Sequence, residues 1–106
     1  MEIGTVSCNT FKGAAAVFFY EAFGTFILLT AINFSKQDPL IVPCGLFMAA
    51  MTCGGFTGGH FNFAVTMGVY ITEGQWRRNL PHVFLYFFAQ LFGAFAGQLY
   101  SYSIMQ

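Results

Sequence analysis

The sequence predicts an all-α membrane protein in which three transmembrane helices and one re-entrant half helix form a single unit over residues 1–106. Three observations carry that expectation. Hydrophobic residues make up 57% of the chain and charged residues 8%, against roughly 25% charge in ordinary soluble domains, so material for a polar coat is lacking. Long apolar segments alternate with short polar stretches at intervals that suit a bilayer. Between two of them stands a glycine-rich run, Gly54-Gly55-Phe56-Thr57-Gly58-Gly59, followed by His60, Asn62 and an apolar stretch too brief to cross.

The first span is expected at about residues 13–34, long enough for a hydrocarbon core and interrupted only by Glu21. It ends at Ser35-Lys36-Gln37-Asp38-Pro39, because the residue before proline is pushed out of the helical region and the charges need water. The second helix is expected at about residues 40–53, dissolving into the glycines, which weaken a helix and allow close backbone approach. A re-entrant loop and half helix follow over about residues 54–72, with the Asn62 side chain placed to cap the first turn. The half helix spans roughly 16 Å at about 1.5 Å per residue, half a bilayer. Glu73-Gly74-Gln75-Trp76-Arg77-Arg78-Asn79 is the most polar stretch and carries an interfacial tryptophan, so it marks a membrane surface. The last span, about residues 81–104, opens on proline and contains Gly93 and Gly97 on one small-residue face where another helix can pack closely.

Charge and residue inventory exclude several classes. Four lysines and arginines against four acids give a formal net charge of zero, which cannot build a basic face for nucleic acid. Cys8, Cys44 and Cys53 are odd in number and lack Cys-x-x-Cys spacing, so they read as small apolar fillers. His60 and His82 stand apart with no cysteine pair, a poor basis for a metal site. No nucleophile with a base and no paired carboxylates point to an enzyme, and the glycines lack the lysine of a phosphate loop. No cofactor is expected.

Three crossings put Lys12, Arg77 and Arg78 on one side and Lys36 on the other, which places the N-terminus in the cytoplasm or a mitochondrial matrix. The first 12 residues show neither a secretory signal nor a transit-peptide pattern. Fifteen phenylalanines are consistent with AT-rich coding, as in an organelle genome, and suggest a mitochondrial inner membrane.

Taken in order, Glu21-Ala22-Phe23-Gly24-Thr25-Phe26-Ile27-Leu28, the Gly-Gly-His-x-Asn-x-Ala-Val-Thr loop from Gly58, and Gln90-Leu91-Phe92-Gly93-Ala94-Phe95-Ala96-Gly97 resemble the first repeat of the aquaporin, or major intrinsic protein, family. The resemblance covers nearly the whole chain and one repeat of the family's inverted pair. It implies that the half helix aims its N-terminus at a pore centre, where Asn62 donates its amide hydrogens to a passing oxygen. The positive helix end would disfavour cations and protons. It also implies that Glu21, with Thr25 beside it, supports the re-entrant loop by accepting hydrogen bonds from loop amides. On that role Glu21→Gln leaves the fold largely intact and Glu21→Leu does not.

The resemblance makes Asn62, Phe63 and Ala64 the pore tripeptide. Asn62 is equally an ordinary helix cap. Phe63 departs from the proline usual in the family, and its ring either packs on a partner half or intrudes on the solute path. His60 either bonds loop groups or lines the path. Val65 stands where a second repeat would carry arginine, and positions 42–44 bring no aromatic residue to the filter level. Two functions follow as expectations. One is a subunit that pairs with a second aquaporin-like half, homologous or identical, to pass water or small neutral solutes; the other is a non-conducting accessory subunit of a large membrane complex such as a mitochondrial respiratory one. The lipid bilayer is a partner in both.

Overall fold

A computed structural model describes residues 9–105; Cys8 and most of the segment read for targeting signals lie outside the described residues. Four helices follow one another: α1 (Phe11–Phe34), α2 (Ile41–Thr57), α3 (Phe63–Glu73) and α4 (Trp76–Met105). Thr10 starts α1 by accepting a hydrogen bond from the Gly13 amide at 3.0 Å. Asp38 holds the turn before α2, accepting from the Leu40 amide at 2.9 Å, while Lys36 and Gln37 take positive φ of 48° and 68° to reverse the chain. Gly58 ends α2 at φ 90° and Gly74 ends α3 at φ 69°, left-handed positions that glycine occupies without strain.

Helix α1 lies between α2 and α4, and α3 packs on α4. Along α1 and α4 the contact partners rise together: Val17 meets Val83 and Tyr86, Ala22 meets Gly93, and Leu29 meets Gly97, with Asn33 bonded to Gln98 beyond them. The two helices therefore run parallel. Ala31 against Gly45 and Tyr20 stacked on Phe56 at 4.4 Å make α2 antiparallel to α1. The close α1–α4 approach rests on Gly93, where a Cβ would overlap the Ala22 carbonyl, and on Gly97, where it would sit 3.0 Å from Leu29 Cβ and 3.1 Å from the Phe26 carbonyl oxygen.

Polarity is inverted relative to a soluble bundle. Glu21, Thr25, Thr57, His60, Thr66, Asn79, His82, Gln90 and Ser101 are buried, whereas Phe19, Phe47, Phe92, Phe95 and Leu99 are exposed. Helices α1 and α4 are long and apolar enough to cross a membrane, and α2 is apolar but shorter.

Two expected boundaries move. The second helix does not dissolve at the glycines but runs through Gly54 and Gly55 to Thr57. Each glycine weakens a helix by roughly 1 kcal/mol, and the last turn is held by the Thr57 hydroxyl on Glu21 at 2.7 Å and by Tyr86 on the Thr57 carbonyl at 2.7 Å. The final helix starts at Trp76, with Pro81 inside it, so most of the polar stretch at 73–79 is helical. Asn79, nearly fully buried, donates to Glu73 at 2.7 Å, and Tyr70 donates to the Trp76 carbonyl at 2.9 Å. These bonds tie the α3–α4 turn together and offset the backbone bond that Pro81 cannot make.

Candidate functional site

The site is built around one carboxylate. Glu21, completely buried in α1, accepts four hydrogen bonds from three other segments. Oε1 takes the Thr57 hydroxyl at 2.7 Å and the His60 amide at 3.1 Å; Oε2 takes the Phe61 amide at 2.8 Å and Gln90 Nε2 at 3.3 Å. A carboxylate in mid-span costs about 2.5 to 3.5 kcal/mol on insertion scales, and charge-assisted bonds of about 1.5 to 3 kcal/mol each are of the size needed to offset it. The two backbone donors belong to 58–62, a segment with no helix of its own to satisfy them.

The loop conformation is forced by this anchoring. Gly58, Gly59 and Phe61 have φ of 90°, 67° and 53°. Phe61 accepts a strained left-handed conformation because its ring is buried against α1 at Gly24, where any Cβ would collide with it. Thr25 donates to the Phe61 carbonyl at a long 3.4 Å, and Thr57 accepts from the Gly59 amide at 3.1 Å. Of the two residues read as loop support, Glu21 thus meets the loop amides and Thr25 its carbonyl.

A second layer joins the loop to α3 and α4. Gln90 Nε2, besides reaching Glu21, donates to Thr66 Oγ1 at 2.9 Å. His60 Nδ1 lies 3.0 Å from the same hydroxyl, and its ring stacks on Tyr86 at 4.5 Å. His60 is therefore buried among side chains of this chain. No group of three His, Cys, Asp or Glu side chains suited to a metal occurs among the described residues.

The loop delivers Asn62 to the start of α3. Its Oδ1 accepts from the Ala64 amide at 2.8 Å, which commits the oxygen and leaves the amide NH₂ as the outward donor. Asn62, Phe63, Ala64 and Val65 are all exposed. Phe63 turns toward α4 and meets Phe87 edge-on, centroids 4.9 Å apart at 72°. Gly93 and Gly97 lie away from this tip, in the α1–α4 seam.

Tyr86 was not singled out by sequence reasoning, and Thr57, Thr66 and Gln90 entered only within motifs. Gln90 carried a usable signal, since a polar side chain in mid-span needs a partner by the logic applied to Glu21. The two threonines carried none, as threonine is common in apolar helices.

Residues 39–106 match the model of the Major intrinsic protein family. That range takes in the loop, α3 and α4, and α1 with Glu21 precedes it. Comparison with curated proteins and with solved structures finds no match.

Proposed function

This chain belongs to the major intrinsic protein family, and from that premise we propose that it is one half of a membrane channel for water or small neutral solutes, completed by a second aquaporin-like half. The observation that carries the proposal is the tip of α3. Asn62 caps the helix through its oxygen and presents NH₂ at an exposed helix N-terminus, where aligned peptide dipoles disfavour cations. Irregular backbone such as 58–62 is tolerated at membrane depth only against protein or a water-filled path. On this reading α2, the loop and α3 form a re-entrant unit, Asn62 is the pore donor and Ala64 and His60 stand beside it. The exposed face at 62–65 is where the second half meets it.

The second half is a related unit or another copy of this one. An identical copy must insert in both orientations, and Lys12, Arg77 and Arg78 against Lys36 bias the chain to one; a distinct half fits better. The same bias puts the N-terminus in the cytoplasm or matrix, and the phenylalanine content favours a mitochondrial inner membrane.

A second reading is a non-conducting accessory subunit of a larger membrane complex. It is favoured by Phe63 and Val65 at the tip, which replace a rigid proline and bring no arginine. Two experiments separate the readings. Native purification that recovers a second half-repeat, followed by faster osmotic shrinkage of vesicles holding the pair, supports the channel. Shrinkage at the rate of empty vesicles, with many subunits of a complex co-purifying, supports the accessory role.

A further inference from the structure

Phenylalanine at position 63 raises the question of where its bulk goes, and the surroundings of the ring answer it. Phe63, Met67 and Tyr70 fall on one stripe of α3. With Leu80, Val83, Phe84 and Phe87 of α4 they line one apolar groove of about 450 Å³. The edge-on contact with Phe87 lies in the range where aromatic pairs attract beyond their buried area. Asn62 precedes Phe63 as the extended N-cap residue, and its side chain folds back over the Ala64 amide. The ring leaves α3 sideways toward α4 and meets Phe87, while the residue stays 39% exposed.

We propose that Phe63 is a positioning residue that latches the first turn of α3 to α4, fixing the Asn62 amide from within the chain and keeping the ring out of the solute path. The proposal rests on the channel reading for the meaning of that path; the latch itself does not. A proline at this position would lack both the ring and its contact with Phe87, leaving the tip to the anchors at Glu21 and Thr66.

The test combines three readouts on the purified chain in its native assembly. In a double-mutant cycle, F63A and F87A should couple, changing the unfolding equilibrium constant in detergent by roughly twofold to tenfold beyond additivity. Hydrogen exchange of the Ala64 amide should quicken in F63A relative to later turns of α3, and F63Y, which keeps the ring, should restore it. Water permeability of reconstituted vesicles should be no higher for F63A than for the unmodified chain.

Coupling together with unraised permeability supports the latch, whether or not the unmodified chain conducts. Vesicles that never exceed empty ones therefore sink the channel reading alone. A rise in permeability in F63A places the ring in the path and overturns the latch, as does a cycle with no coupling. Should F63A fail to fold, F63L with F87L closes the same cycle.

Discussion

Replacing Glu21 tests the centre of the fold with a graded result. Glu21→Leu keeps much of the side-chain volume and removes both acceptors. Thr57 can redirect its hydroxyl to the Cys53 carbonyl, already 3.4 Å away, and Gln90 keeps Thr66. The His60 and Phe61 amides have no such alternative, and two buried orphan donors at about 1 to 3 kcal/mol each cost roughly 2 to 6 kcal/mol. Glu21→Gln is not neutral, because the two amides bind different oxygens. A glutamine offers one oxygen and so serves one amide, whichever way it is turned. Turned so that its NH₂ faces the Thr57 hydroxyl, which can accept that bond and donate to the Cys53 carbonyl, the glutamine still serves the Phe61 amide and Gln90, leaving the His60 amide as the single orphan at a cost of about 1 to 3 kcal/mol. Unfolding in one detergent, followed through the single tryptophan, should rank the unmodified chain above Gln and Gln above Leu. A Leu variant as stable as the unmodified chain, or a Gln variant no better than Leu, refutes the reasoning.

Gly93→Ala should disrupt the α1–α4 seam, since its Cβ meets the Ala22 backbone, whereas Gly55→Ala, with open space around it, should stabilise α2 by about 0.5 to 1 kcal/mol; paired melting curves in detergent check both signs. Asn62→Ala should remove the α3 cap at a cost of about 1 kcal/mol and abolish any osmotic water flux, while Asn62→Asp should recover most of the stability and none of the flux. Tyr86→Phe should lower stability by about 0.5 to 1.5 kcal/mol through loss of the Thr57 carbonyl bond, read from the same unfolding curves.

Helices α1, α3 and much of α4 were legible because apolar runs and the Asn62 cap are local signals. The C-terminal end of α2 and the start of α4 were not. Glycine and proline propensity argued for breaks at Gly54 and Pro81, but Thr57 and Asn79 are held from elsewhere in the fold, and tertiary bonds outweigh propensities of about 1 kcal/mol. Within the site, Glu21 announced itself as a mid-span charge. Its attachment to both loop amides followed from the resemblance, whereas the sharing of one Thr66 hydroxyl by His60 and Gln90 depends on register between helices 24 residues apart. Pattern does not encode such register. The direction of the Phe63 ring likewise depended on what α4 placed opposite it.

The partners of Glu21 also set a timetable for making the protein. Thr57, His60 and Phe61 lie 36, 39 and 40 residues downstream, and Gln90 lies 69 downstream. At roughly 5 to 20 residues per second of synthesis, the carboxylate waits on the order of 3 to 14 s for its last donor. During that interval α1 in lipid carries its mid-helix carboxyl at the cost of about 2.5 to 3.5 kcal/mol, which water or the insertion machinery would relieve. Most of that cost is met when Thr57, His60 and Phe61 arrive, and a ribosome stalled before Thr57 should leave a first helix less readily released into lipid than one stalled after Phe61.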